Sequence, residues 1–455
     1  MTETNRRIQL PLADWAAYAG LVWPMIISSL GHLLLSVVDT AIVGRAGTVD
    51  IAGVSAAAAV YSVVSQSLGA AIIGYQVIAA RRFGAGDHGG VGTAWWHAAA
   101  LAFPLTLIGL ALIWLSPLTS FVSRDESVLA VANAYLWYRG FGLPLFVLTL
   151  LLHSTCDASG QTRWGMYAAL LSNSFNIVLT YALVFGPGPF PAMGGPGSGL
   201  ASSISAGIAL SFLVAVSIWK QFPGLLSLPS VRWNWEEAAG ILRLSVPELL
   251  SSLLDYTGTL VFFALAGRLG IVQLAGSRIA FSVLLVLFTI SMCFGNGLQI
   301  LSARALGAGD RHRVPLLLRN DGLLAVLVVG LAGVAMAAFP VPFARLFTND
   351  AELIAQTLGA LRVVGLTTPV MIWATCATGI LRALKRSKWV MYINVLSVWA
   401  IELPVAWVFG LYLGLGAAGL FTGYFAYFVV RAVWTHLLAH HFMVNAEREV
   451  KVSIH

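Results

Sequence analysis

The chain has 455 residues, of which 58% are hydrophobic and 10% charged, against about 25% charged in soluble domains. That composition excludes a soluble fold. At roughly 20 apolar residues per membrane-spanning helix, the length holds about twelve spans and leaves no room for a separate soluble domain. The net charge of +7 raises nucleic acid as a partner, but the charges fall in loops on one side of the predicted spans, which gives them another explanation.

Residues Met1–Leu10 are short and polar, with Arg6 and Arg7, and the apolar stretch after them is followed by many more, so it reads as a first span and not a cleaved signal. Apolar runs occupy residues 15–43, 51–78, 93–115, 130–153, 164–186 and 198–219, then 238–266, 271–300, 320–340, 355–381, 388–412 and 415–440. The fold class expected is an all-α integral membrane protein of twelve transmembrane helices, six in a first lobe (1–222) and six in a second (223–455). With both termini in the cytoplasm, nineteen of the 26 Lys and Arg lie in inside segments or the cytoplasmic halves of spans; Arg45, Arg124, Arg268 and Arg345 lie outside, and Arg139, Arg278 and Arg362 fall elsewhere within spans. This asymmetry follows the positive-inside rule. It predicts a multi-pass protein of the plasma membrane and accounts for the basic composition without nucleic acid. Cys156, Cys293 and Cys376 sit apart in apolar segments with no C-x-x-C spacing, and read as packing residues.

The sequence matches itself at an offset of 223, where Gly74-Tyr-Gln-Val-Ile-Ala-Ala-Arg-Arg-Phe-Gly-Ala-Gly-Asp87 lies over Gly297-Leu-Gln-Ile-Leu-Ser-Ala-Arg-Ala-Leu-Gly-Ala-Gly-Asp310 with eight of fourteen positions identical. The same offset superposes Pro24 on Pro247, Gly44-Arg45 on Gly267-Arg268, and Gly47 on Gly270; an offset of 225 joins Asp125 to Asp350, Gly140 to Gly365, Pro144 to Pro369 and Trp164 to Trp389. Chance similarity between apolar helices rarely keeps Gly, Pro, Arg and Asp in register. Six spans is an even number, so both halves enter the membrane in the same direction and are expected to be related by a pseudo-twofold axis along the membrane normal. Parallel repeats of this kind characterise transporters with a path between the halves.

With Asp39-Thr40 followed by Gly44, the two copies of Gly-Ala-Gly-Asp, and Asn173 and Asn176 ahead of Phe185-Gly186, the chain resembles the multidrug and toxic compound extrusion (MATE) family, prokaryotic members such as the DinF-like branch included. The resemblance covers all twelve spans. It implies a two-lobed exporter of organic compounds working against an inward flow of H⁺ or Na⁺, with no other cofactor. It also implies cation or proton coupling at Asp39, Asn176 and the position four residues later. Several prokaryotic members have an acid at that last position, and this chain has Thr180, which leaves a Na⁺ site short of one carboxylate and favours H⁺. The family often places a carboxylate eight residues after a Pro in the seventh helix, and Asp255 stands at that spacing from Pro247.

An ionised Asp at the centre of a membrane helix costs about 2.5–3.5 kcal/mol and needs a partner, a wet cavity or a proton. His32, Ser36 and Asp39 share one helical face, and the 223 offset maps that stripe onto Asp255, Thr259 and Phe262, so two symmetry-related helices each carry one acid. Asp39 reads as a coupling residue or as a helix–helix hydrogen bond. His32 is a packing residue or a proton partner for either acid. Glu402, two residues before Pro404, either meets backbone freed by the proline or touches substrate. Glu248 beside Pro247 complements a helix dipole. Arg278 is deep enough to neutralise Asp255 or to attract an anionic substrate group, and Tyr61, Tyr256 and Phe262 are candidate cavity aromatics.

The Gly- and Pro-rich stretch Gly186–Gly199 has no Lys and no preceding strand, so it reads as an external connector and not a phosphate loop. The sequence has no Walker motif, D-D-x-x-D or H-E-x-x-H, which argues against ATP coupling and against an enzyme. The expected activity is antiport of cationic or amphipathic organic compounds by a monomer. The alternatives are a lipid-linked oligosaccharide flippase of the same superfamily, or a membrane enzyme or scaffold.

Overall fold

A computed structural model describes residues 12–115, 125–222 and 233–453. The segment with Arg6 and Arg7, the loop carrying Arg124 and the connector carrying Arg232, where the expected lobe boundary falls, lie outside the described residues. Among those described, every regular element is a helix. In the first half these are α1 (Leu12–Gly44), α2 (Thr48–Gly84), α3 (His88–Leu115), α4 (Glu126–Gly140), α5 (Gly142–Ala158), α6 (Thr162–Phe185) and α7 (Gly195–Trp219). The second half has α8 (Trp235–Gly267), α9 (Ile271–Gly307), α10 (Arg313–Ala325), α11 (Leu331–Ala338), α12 (Pro340–Arg345), α13 (Ala351–Ala383), α14 (Ser387–Leu396), α15 (Leu403–Trp407) and α16 (Gly416–Ser453). Eleven helices are long and apolar enough to cross a bilayer, and the bent pair α4–α5 makes twelve when counted as one span.

The repeat is visible in the helix boundaries. Helices α8 and α9 begin and end 223 residues after α1 and α2, and α13 runs over the counterparts of α4 and α5 at an offset of 225. Equivalent residues perform equivalent local tasks. Asp125 caps α4 and Asp350 caps α13, because a short acceptor before a helix satisfies amides that have no intrahelical partner. The turns after α2 and α9 place Gly86 and Gly309 at φ 74° and 81°, a conformation that only glycine adopts freely. Asp50, near the start of α2, accepts from the Gly195 amide at 2.5 Å and so caps α7; its counterpart Gln273 accepts from the Ala417 amide at 2.8 Å and caps α16.

One predicted span is broken. Residues 130–153 were expected as a single helix, but α4 and α5 meet at a 45° bend. The sequence there is Gly140-Phe-Gly142, followed by Pro144, which lacks an amide for the ladder. A Cβ at Gly142 would sit 2.9 Å from the Ser203 Cα, and one at Gly140 2.3 Å from the Trp114 indole nitrogen, so the bend seats α3 and α7 closely. Helix α13 keeps the equivalent Gly365 and Pro369 but has Thr367 in place of the second glycine, and it runs unbroken. Two spans of the second half contain π-helical turns, at Val326–Gly330, and at Ser397–Glu402 and Val408–Tyr412 on either side of α15 with its Pro404. Such turns relieve a backbone that a proline or a close neighbour disrupts.

The described residues form two compact units. One holds residues up to Ile26, Val261–Leu384 and those from Leu396; the other holds Ile27–Leu260 and Lys385–Val395. Each unit therefore includes the opening turns of the other repeat's first helix. In the first, α9, α13 and α16 pack around Phe262, Leu361, Met371 and Phe421, and the Tyr18 hydroxyl of α1 donates to the Phe294 carbonyl at 2.9 Å. In the second, α2 packs with α3, α4 and α5.

Candidate transport site

Asp39 lies near the end of α1, half-buried, in the unit of residues 27–260. Helix α1 approaches α6 at Gly31, where a Cβ would stand 3.0 Å from the Asn173 amide nitrogen, and two turns further on the same pair of helices brings Thr180 to Asp39. The Thr180 hydroxyl lies 3.2 Å from the Asp39 Oδ1 and 3.2 Å from the Asn176 Oδ1. Asn176 in turn donates to the Ser202 hydroxyl on α7 at 3.1 Å. Thr180 and Asn176 are 0% and 2% exposed, so bulk water cannot easily replace these bonds. A hydroxyl carries one proton. Thr180 therefore donates either to Asp39 or to Asn176, and the choice depends on whether Asp39 is an acceptor or already bears a proton of its own. Thr180, Asn176 and Ser202 thus connect the Asp39 carboxyl on α1 to α6 and α7.

The charge facing Asp39 comes from Arg139, on the last turn of α4. Its guanidinium lies over the Tyr61 ring at 4.3 Å and interacts electrostatically with Tyr135 and Asp39. The sequence placed Arg139 within a span but gave it no partner. The stripe residues His32 and Ser36 are exposed on α1, and the Ser36 hydroxyl donates back to the Leu33 carbonyl at 2.8 Å.

Asp255, on α8, belongs to the same unit and has a different set of partners. The Asn394 amide on α14 donates to its Oδ2 at 2.6 Å and to the Ser251 hydroxyl at 2.7 Å. Thr259 donates to the Asp255 carbonyl at 3.0 Å, and Tyr256 is half-buried. Phe262, Arg278 and Glu402 belong to the other unit. Phe262 is fully buried against Phe421 and Tyr424, Arg278 lies 4.0 Å over the Phe263 ring, and Glu402 is buried at the end of a π-helical turn.

A second polar cluster was not singled out in the sequence. On α5, His153 and Asp157 approach within 3.3 Å, and Gln76 of α2 donates to the same carboxylate oxygen at 3.4 Å. The signal available was an i, i+4 His and Asp pair within a predicted apolar segment. The repeat does not reproduce it, as its counterparts are Thr378 and Arg382.

The MatE family model matches residues 24–182 and again 247–408, the second match starting 223 residues after the first. The chain is 29% identical over 445 residues to a probable multidrug resistance protein NorM of Geobacillus kaustophilus, covering 93% of this chain and 96% of that one. It is 28% identical over 417 residues to the probable NorM of Thermotoga maritima, covering 90% and 89%. Among solved structures, a MATE protein in its straight conformation superposes with a TM-score of 0.86 at 20% identity, covering 95% of this chain and 96% of that one. With the family model matched in both halves, the chain belongs to the MATE family of multi-pass membrane transporters.

Proposed function

We propose that this chain is a secondary active exporter of cationic or amphipathic organic compounds that exchanges them for H⁺ by alternating access. The observation that carries this reading is the bonded series Asp39–Thr180–Asn176: one carboxyl in a membrane helix, bonded to neutral groups and with no second carboxylate in the series. A hard cation takes several oxygen ligands, preferably charged, whereas a proton needs one. The NorM relatives named as multidrug resistance proteins support the substrate class. Exchange of one H⁺ for a neutral amphipathic compound moves one net charge, and through 100 mV that contributes about 2.3 kcal/mol, which sustains roughly a fifty-fold gradient. One-for-one exchange with a monovalent cation moves no net charge and is driven by the pH gradient.

In this reading the transporter is a monomer of the cell membrane with both termini in the cytoplasm, its lobes are residues 1–222 and 223–455, and Asp255 is a second coupling acid. His32, Ser36, Tyr61, Tyr256, Thr259, Arg278 and Glu402 contact substrate, while Phe262, fully buried against Phe421 and Tyr424, serves packing instead. Proteoliposomes carrying an imposed pH gradient and no Na⁺ test it. Efflux of an organic cation is expected from the wild type and not from a folded Asp39→Asn protein. Transport only on addition of a Na⁺ gradient would replace H⁺ by Na⁺, and normal transport by Asp39→Asn would remove Asp39 from the mechanism.

A further inference from the structure

The cluster at the end of α5 has a feature that packing does not explain. Asp157 is 3% exposed, and its Oδ2 receives both His153 and Gln76 while, among the described residues, no hydrogen-bond donor reaches its Oδ1. A buried carboxylate oxygen without a donor carries a large desolvation cost. It is also a position where a proton can sit. One turn earlier, the His153 imidazole offers a second such position. The local sequence makes room for that ring: a Cβ on Gly165 of α6 would lie 2.4 Å from its Nε2. Tyr75 and Thr155 bond each other beside the pair at 2.7 Å and fix the facing turns of α2 and α5.

Toward Asp39, the charges of His32 and His153 act on each other, as do those of His32 and Arg139 and of Arg139 and Asp39. Arg139 stays charged and passes no proton, and His32 and Asp39 share one face of α1. Cys156 adjoins Asp157 on its own helix, α2 presents Gln76 to the pair and Tyr75 beside it, and α6 presents Gly165. At the other end, α5 stops one residue beyond Asp157, and Gly160 and Gln161 in the following turn are exposed. Chains of Asp, Glu and His within membrane spans mark proton pathways.

We propose that His153 and Asp157 form a second proton-binding site, a relay that passes the proton between Asp39, by way of His32, and the aqueous side onto which α5 opens. One proton enters the pair for each that leaves it, moving from imidazole to carboxyl or the reverse, so the pair returns to its starting state with every cycle. The proposal rests on the H⁺-coupled reading above.

The test uses the full chain in proteoliposomes with ethidium as the transported probe. Asp157→Asn keeps the shape and the Gln76 contact, so ethidium binding and ethidium counterflow, which need no net proton movement, are expected at wild-type levels. Transport driven by a pH gradient is expected to fall by at least about tenfold, to fall likewise in His153→Gln, and to recover in Asp157→Glu with a shifted pH profile. Gradient-driven transport by Asp157→Asn at the wild-type rate, with the wild type itself driven, overturns the relay alone. Loss of ethidium binding together with transport assigns the pair a structural role and also overturns it. A wild type indifferent to the pH gradient overturns proton coupling as a whole.

Discussion

A methyl group on Gly74 would lie 2.4 Å from the Ser245 hydroxyl, and 223 residues later one on Gly297 would lie 2.5 Å from Val22, the counterpart of Ser245. The second helix of each repeat thus presses a glycine against the opening turns of the other repeat's first helix, which is why each compact unit includes those turns. The two contacts differ in how they can yield. At Gly74 the neighbours include the Ile241 backbone oxygen at 2.8 Å, which cannot swing aside, whereas at Gly297 they are side-chain atoms of Val22 and Tyr18. Gly74→Ala is expected to lower stability by about 1–3 kcal/mol, as overpacking does, and Gly297→Ala by less. Gly240→Ala meets nothing within 4 Å and gains up to about 1 kcal/mol from the lost backbone freedom of glycine. Thermal unfolding of the three purified variants in detergent checks the order, and equal midpoints would contradict the close approach.

Asn394 bridges two acceptors with one amide group, so its loss exposes both. Asn394→Ala leaves Asp255 and Ser251 without that donor in a place where Asn394 itself is 4% exposed, and is expected to cost about 1–3 kcal/mol. A double-mutant cycle of Asn394→Ala with Asp255→Ala, read by chemical or thermal unfolding, is expected to give a coupling energy of about 1.5–3 kcal/mol, the range for a hydrogen bond to a charged group. A coupling near zero would show that the 2.6 Å contact contributes nothing to stability.

Much of this architecture was legible before any coordinates. The offsets of 223 and 225 anticipated the boundaries of α8, α9 and α13 because Gly, Pro and Asp at helix ends serve backbone geometry and reappear wherever the geometry does. The exchange of opening turns was not legible, since a repeat says which residues are equivalent and not which copy each packs against. The bend between α4 and α5 was signalled by Gly140, Gly142 and Pro144, but Gly365 and Pro369 show that two of these three leave a helix intact. At the site, the Asp39, Thr180 and Asn176 grouping was expected from the resemblance, and the structure brings the three together. Arg139 over Tyr61 and the His153–Asp157 pair were missed. Arg139 meets a neighbour from another helix, about which helical periodicity in one segment carries no information; the His153–Asp157 spacing was visible on α5, but its burial against Gln76 of α2 was not.

Asp125 offers a test of stability against pH that lies outside the spans. Its carboxylate accepts from the Ser127 hydroxyl at 2.6 Å and from the Ser127 amide at 2.9 Å, and these bonds hold its carboxyl below the ordinary carboxylate range, the hydroxyl contributing most. The unfolded chain then binds the Asp125 proton more readily than the folded one does. The resulting stabilisation is fully present above the unfolded value, about 3.9, and is lost as pH falls through the lower folded value. Asp125→Asn supplies an acceptor that still caps α4 but does not titrate. The wild type is therefore expected to unfold at a higher temperature than Asp125→Asn near neutral pH, with the difference closing on acidification from about pH 5 to about pH 3. Ser127→Ala, which removes the strongest donor, is expected to reduce that pH-dependent difference. Unfolding midpoints of the three proteins across this range decide the matter: a wild-type advantage that grows toward acid would mean that the Asp125 carboxylate is not stabilised by its cap.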